Sequence, residues 1–289
     1  EMDFRVIMNP LNLKPIAAFV SPYVDSLSGG LRGDLSIKGS FKEPLINGTL
    51  GLDSSYLIVK QTGTPLHIPS AGLRFEGQKI FFEGMTLFDS AGRPATITGN
   101  GHAENLTDIQ YQLKLQTDKF LLSGKKRYEE QLVSGPLYAG MELNIKGDLT
   151  EANIRGSVRI LDSSLITYTY KESDNGSSGE GLIEFFDPLK INDLDSVALQ
   201  AKAKPKSKFQ LDVNSSINIT PKSTIIIVLD ELTGDQLSVN GNANLNFSMA
   251  PGGEIELVGN YDLESGKYNM TLAGLIKKDF EISKGSNIT

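Results

Sequence analysis

The sequence predicts an all-β protein of antiparallel strands, and three observations carry that expectation. Apolar residues recur at every second position through most of the 289 residues, which gives each strand one apolar and one polar face. Gly, Asn, Asp and Pro interrupt these runs at roughly ten-residue spacing, as in hairpins and meanders. The helical segments that a parallel α/β sheet needs between its strands are missing. Glycine is also abundant, at 29 of 289 residues against a usual share of about 7%.

The first element is the exception to the alternation. Leu13, Ile16, Ala17, Val20, Tyr23, Val24 and Leu27 follow three-and-four spacing, the apolar stripe of a helix. Pro15 suits a first helical turn, Gly29-Gly30 suit its end, and Pro22 implies a kink. The spacing predicts one short helix over 13–27 that caps the sheet. From there period two takes over. Leu35, Ile37 and Phe41 alternate with Asp34, Ser36, Lys38 and Ser40, and Leu50 and Leu52 follow. The same rule places Leu113 with Leu115, Leu143 with Ile145, and Val158 with Ile160 on common strand faces. It continues through Leu245, Phe247 and Met249, Ile255 and Leu257, Tyr261 and Leu263, and Tyr268, Met270 and Leu272.

Residues 34–57 align without gaps to residues 142–165. Leu35/Leu143, Ile37/Ile145, Lys38/Lys146, Gly39/Gly147, Ile46/Ile154 and Gly48/Gly156 coincide. A looser third copy runs from Leu237 to Tyr268. Each copy reads strand, glycine turn, strand, turn, and such units stack side by side rather than enlarge a core. The expected organisation is a single elongated β-repeat body, with copies near 31–57, 139–165 and 237–268. Lys171–Gly181 reads as a polar, glycine-rich loop and Lys125–Glu130 as a charged connection.

Composition removes several functions. With 28 Lys+Arg against 35 Asp+Glu, the net charge is −7, and no nucleic-acid partner is expected of a chain without a basic face. The absence of Cys excludes disulfides, thiolate zinc sites and cysteine nucleophiles. The two histidines, His67 and His102, have no second ligand at metal spacing. Asp187, Asp193 and Asp195 cluster in a loop but suit calcium only weakly. A Gly-x-Ser-x-Gly elbow, a P-loop and a dinucleotide fingerprint are all absent. The chain is therefore expected to be no enzyme, with no catalytic residue, cofactor or metal. Lys202, Lys204, Lys206 and Lys208 would share one strand face, either as an edge guarded by Lys and Pro or as an anionic-headgroup contact. The Asn-x-Ser/Thr triplets at Asn47, Asn105, Asn214, Asn218, Asn246, Asn269 and Asn287 belong to polar strand faces and turns. The longest apolar run, Ile225–Leu229, is far short of the ~20 residues of a spanning helix. The sequence reads as part of a longer protein, with its anchor elsewhere.

An amphipathic sheet must cover its apolar face. It can pack on a second sheet as a closed sandwich, or curl until its own walls face each other. Alternation alone leaves both open.

Two strings resemble a known family. Leu27-Ser-Gly-Gly-Leu-Arg-Gly-Asp-Leu-Ser-Ile-Lys-Gly-Ser-Phe-Lys-Glu-Pro-Leu-Ile-Asn-Gly-Thr-Leu is similar to the Gly-x-Leu repeat strings of the TamB family, the translocation and assembly module proteins. The run from Gly259-Asn-Tyr through Gly266-Lys-Tyr and Lys277-Lys-Asp-Phe to Gly285-Ser-Asn-Ile288 is similar to that family's C-terminal signature, in the phrasing of its Bacteroidetes members. The resemblance implies an inner-membrane-anchored protein that crosses the periplasm. It implies a long β-sheet curled into an open half-pipe, a β-taco, with an apolar concave lining. Relatives fall among AsmA-like and bridge-like lipid-transfer proteins. The implied partners are a phospholipid or other acyl lipid and an Omp85-type outer-membrane barrel, with membrane contact through the anchor of the full-length protein. The implied role is outer-membrane lipid supply, with assembly of outer-membrane proteins as the alternative.

On that reading the groove lining is Leu35, Ile37, Phe41, Leu50, Leu52, Leu113, Leu115, Leu143, Ile145, Val158, Ile160, Leu245, Phe247, Ile255, Leu257, Tyr261, Leu263, Tyr268, Met270 and Leu272. The physical need for such a lining is large. An acyl CH₂ loses about 0.8 kcal/mol on entering water, so a fourteen-carbon chain loses on the order of 11 kcal/mol. A continuous apolar track removes that barrier at every step.

Overall fold

The computed structural model describes residues 1–15, 17, 24–40, 42–60, 63–105, 107–123, 133–169, 209–252, 254–272 and 276–289. The chain divides into two units, Glu1–Tyr170 with Phe209–Thr289, and Lys171–Lys208. The second lies wholly outside the described residues, as do Lys125–Glu130, the lysines 202–208 and Asp187, Asp193 and Asp195.

The first unit is one open, curled sheet of seventeen strands. In chain order they are β1 (Met2–Asn12), β2 (Val24–Gly39), β3 (Pro44–Val59), β4 (Thr64–Gly77), β5 (Lys79–Phe88), β6 (Pro94–Ala103), β7 (Ile109–Ser123), β8 (Val133–Ser134), β9 (Leu137–Gly147), β10 (Glu151–Ile160), β11 (Leu165–Thr169), β12 (Gln210–Ile219), β13 (Thr224–Asp230), β14 (Asp235–Met249), β15 (Ile255–Leu272), β16 (Ile276–Ile282) and β17 (Asn287–Ile288). From β1 to β7 each strand pairs antiparallel with the next. β7 continues to β9, and β9 to β10. β14 pairs with both β12 and β13, then with β15, which carries β16 and β17 along different stretches.

Two expectations need correction. The sheet is not antiparallel throughout, because β10 runs parallel to β12 and β11 parallel to β13. Parallel neighbours need a connection of a dozen residues or more, and residues 170–208 separate these strands in sequence. The short helix over 13–27 is not found either. Val24–Leu27 belong to β2, which is bonded on both sides, to β1 and to β3. Val24–Leu27 pair with Val59, Ile58 and Leu57 of β3, and that ladder outweighs a short stripe of helical spacing that Pro22 already interrupts. Of the rest, the Ala17 amide bonds the Leu13 carbonyl at 3.2 Å and the Leu13 amide bonds the Gly29 carbonyl at 3.1 Å. Residues 16 and 18–23 lie outside the described residues.

The repeat has a structural counterpart. Leu35 stands opposite Gly48 and Leu143 opposite Gly156, so each copy is a hairpin with leucine facing glycine. The reason for the glycine is steric. A Cβ at Gly48 would collide with the Asp34 carbonyl oxygen, and one at Gly156 with that of Glu142. Gly48 also has φ of +129°, a region that L-residues avoid. Glycine lets adjacent strands coil closely on one face, which bends the sheet.

The strands are also interrupted along their length. The register shifts in β1 between Met8 and Leu11, in β2 between Ser28 and Gly30, in β7 between Thr117 and Phe120, and in β14 between Asn240 and Gly241. Residues 161–164 part β10 from β11, and 220–223 part β12 from β13. Two of these interruptions share one tripeptide: Asp53-Ser54-Ser55 and Asp162-Ser163-Ser164. The middle serine has positive φ in each, +47° and +70°, and the third is buried. The Ser164 hydroxyl donates to the Leu161 carbonyl at 2.7 Å and accepts from the Tyr138 amide at 3.0 Å. Ser223 donates to the same Leu161 carbonyl at 3.0 Å. At the breaks between β10 and β11 and between β12 and β13, serine thus takes up backbone groups freed from the ladder.

Candidate functional site

The pairing register builds one face from residues of every strand in the body of the sheet. Met8, Gly33, Leu50, Leu73, Phe82, Gly99, Leu113, Ile145, Ile154, Val213, Met249 and Ile255 form a single row across β1 to β15. Directly opposed residues share a face, and so do residues two apart. The next rows are therefore parallel to it. Val6, Leu35, Gly48, Phe75, Ile80, Gly101, Tyr111, Gly147, Ala152 and Leu211 lie on one side. Ile97, Leu115, Leu143, Gly156, Ser215, Phe247 and Leu257 lie on the other.

Every residue expected to line a groove falls on this face except Phe41, which lies outside the described residues, and Leu272, which is described by its backbone register alone. Leu35, Ile37, Leu50 and Leu52 stand on β2 and β3. Leu113, Leu115, Leu143, Ile145, Val158 and Ile160 stand on β7, β9 and β10. Leu245 and Phe247 stand on β14, with Ile255, Leu257, Tyr261, Leu263, Tyr268, Met270 and Leu272 on β15. The sequence reading missed Met8, Leu73, Phe75, Ile80, Phe82, Ile154 and Val213 on the same face. A signal existed for β5, but Ile80-Phe81-Phe82 reads as an unbroken apolar run. Phe81 in fact points to the opposite face, where the Arg74 guanidinium lies 4.4 Å from its ring centroid.

The opposite face is polar and ion-paired. Arg5 pairs with Asp34, Arg32 with Asp53 at 2.7 Å, Lys114 with Glu142 at 2.6 Å, Arg155 with Asp212 at 2.9 Å and Lys267 with Asp279 at 2.6 Å. These pairs are exposed and contribute little stability each. The guanidiniums beside Asp34 and Asp212 hold both carboxyls below the usual carboxylate range.

The apolar face is buried at both ends of the strands, at Ile46, Ile80 and Ala152 on one side and in a larger cluster on the other. Ala139, Ile160, Ile219, Val239, Ala243, Tyr261 and Leu263 form a buried cluster, with Leu137, Val158, Ile166, Ile217, Ile225 and Leu237 packed against it. The Tyr261 hydroxyl sits there without a hydrogen-bond partner, and burial pushes its pKa up to about 12. On the outer strands Phe4 of β1 and Ile255 and Leu257 at the start of β15 remain exposed.

One buried carboxylate holds the sheet together nearby. Asp89, in the turn after β5, accepts the amides of Ala91 at 2.8 Å, Arg93 at 3.0 Å and Leu121 at 2.9 Å, and the Arg93 guanidinium at 2.7 Å. Burial opposes ionisation, but the amides of Arg93, Leu121 and Ala91 and the Arg93 side chain together bring its pKa below the ordinary value. Beside it the Thr64 hydroxyl donates to the Leu122 carbonyl at 2.7 Å, which joins β4 to β7 past the shorter β5–β6 hairpin.

No group of His, Cys, Asp and Glu that could hold a metal ion occurs among the described residues. His67 stacks on Tyr56, with ring centroids 4.3 Å apart, and lies tilted against Phe88 at 6.4 Å. No helix among the described residues is long and apolar enough to cross a membrane.

No curated protein and no solved structure matches the chain. A family model does. The model for the TamB C-terminal domain matches residues 83–289, from the middle of β5 through β17. That span is well over half of the sequence and holds most of the apolar rows. The chain belongs to the TamB family.

Proposed function

We propose that this chain is part of a periplasm-spanning envelope protein that shelters acyl chains of phospholipid on its apolar face, for transfer between the inner and outer membranes. The observation that carries the reading is the row from Met8 to Ile255: twelve strand positions in register, all apolar or glycine. A track for an acyl chain must be apolar and chemically plain, because a fixed polar partner would trap the lipid. The rim residues Phe4, Ile255 and Leu257 are exposed, as an entry for a ligand requires. Membership of the TamB family supports an envelope role. The activity asks for no catalytic group, cofactor or metal.

A second reading rests on a different observation. Residues 255–260 of β15 have no pairing strand on the side away from β14 among the described residues, since β17 pairs only with Tyr261 and Asp262. An open, apolar edge can accept an extended strand of an outer-membrane protein, in concert with an Omp85-type barrel. The test is direct. The purified chain, incubated with phospholipid vesicles and re-isolated, should yield stoichiometric acyl lipid on solvent extraction. Lipid-free protein that instead binds unfolded outer-membrane strands would favour assembly over transport.

A further inference from the structure

We infer that Lys278 is a landing site for the phosphate of a lipid headgroup at the rim of the apolar face. The inference rests on the lipid reading above and adds where the polar end of the lipid sits. It follows from the distribution of charge. β16 pairs with β15 so that Ile276 faces Leu272, Lys278 faces Met270 and Phe280 faces Tyr268. Lys278 therefore stands on the apolar face, in the same alternation as Ile276, Phe280 and Ile282. In the apolar rows traced through the described residues, from β1 to β16, it is the one cationic side chain. Arg5, Arg32, Lys114, Arg155 and Lys267 stand on the opposite face, each in an ion pair. Lys278 has no ion-pair partner among the described residues.

Its surroundings suit an amphipathic ligand. Ile276 and Phe280 on either side are exposed, and Phe280 stacks on Tyr268 with ring centroids 6.1 Å apart. The row through Phe280 continues inward as Tyr268, Leu237, Ile227 and Tyr168, five strands spanning roughly 19 Å at ~4.8 Å each. An acyl chain lying along that row would leave its phosphate beside Lys278. The lysine stem can lie over Met270 while its ammonium stays at the surface. Asp235 begins β14 at the same end of the face, and its carboxylate accepts the Thr271 amide at 2.7 Å. Among the described residues it forms no ion pair with Lys278. The competing role for an inward lysine on an outer strand is to block edge-to-edge association.

The test uses the full chain and two fluorescent lipids with the same acyl chains, phosphatidic acid and diacylglycerol. The chain should capture phosphatidic acid about five- to tenfold more tightly, the size of one charge-assisted hydrogen bond near the surface. Lys278→Gln should erase that preference without weakening diacylglycerol capture, and Lys278→Arg should keep it. Equal capture of both lipids by the unaltered chain, or an unchanged preference in Lys278→Gln, would overturn the inference while leaving the apolar track intact. Lys278→Gln protein that oligomerises with its preference unchanged would assign the lysine to edge protection. Failure of the unaltered chain to capture either lipid would remove the lipid reading itself, and this inference with it.

Discussion

β15 carries two versions of the same apolar face. At its start Ile255 and Leu257 are 66% and 56% exposed, whereas Tyr261 and Leu263, on the same face a few residues later, are 8% and 4% exposed. All four alternate in the same way and pair with the same strand, β14. The difference lies in what surrounds them. At the covered end β17 and the loop before it reach β15, and the Leu263 amide bonds the Ser286 carbonyl at 2.8 Å. Residues on both sides of the strand breaks pack there into one cluster. At its start β15 has no further pairing strand among the described residues, so Ile255 and Leu257 stand on an open edge. Alternation therefore fixes which side of a strand is apolar, but the partners of neighbouring strands decide whether that side is core or surface.

The comparison yields its largest effect in paired truncations. Leu263→Ala should cost about 2–5 kcal/mol, because it leaves a cavity in a packed cluster. Leu257→Ala should cost under about 1 kcal/mol, since water already reaches the site. Equal losses in urea unfolding would mean that both ends are core, and the open face would be lost from the account. The bend is tested at Gly48. Gly48→Val should cost about 2–4 kcal/mol from strain and collision with the Asp34 carbonyl. Gly72→Ala, on the next strand with open space around it, should stay within about 1 kcal/mol. A tolerated valine at Gly48 would show that close strand approach there is not required.

Asp89 sharpens the comparison by pH. Its pKa is lowered by the fold, so its stabilising contribution is complete above the unfolded value near 4 and is lost as pH falls below it. Asp89→Ala should cost about 2–3 kcal/mol at neutral pH and give a shallower acid limb in a stability–pH profile. An unchanged limb would remove Asp89 as the link between the turn after β5 and β7. The smallest effect belongs to Tyr261. Its pKa is raised to about 12, so the fold should lose stability as pH rises from about 10, where the unfolded tyrosine ionises. Tyr261→Phe should be neutral or up to about 1 kcal/mol stabilising, and should abolish that alkaline loss. A clear loss at neutral pH would reveal a partner for the hydroxyl.

Much of this was legible in the chain itself. Period two marked the apolar face on β2, β7, β9, β14 and β15, and the repeat located the Leu35–Gly48 and Leu143–Gly156 hairpins before any pairing was known. What escaped has identifiable causes. Phe81 hid the alternation of β5 because its polar-face partner, Arg74, lies on another strand. The parallel pairing of β10 with β12 depends on a contact between segments far apart in sequence, which no local pattern encodes. The helical spacing over 13–27 gave way, at Val24–Leu27, to ladder bonds that only the neighbouring β3 could supply. The split of β15 into a covered and an open stretch was invisible for the same reason, since Leu257 and Leu263 are the same residue type in the same alternation.

The most direct test of the central claim is a photocrosslinking scan along β14 in the full chain loaded with phospholipid. Probes at Leu245 and Phe247 stand on the apolar face, and those at Asn246 and Ser248 on the polar face. The account expects acyl-chain adducts at the first two positions and none at the second two. Adducts of equal yield at all four, or none at any, would contradict an apolar face that carries lipid.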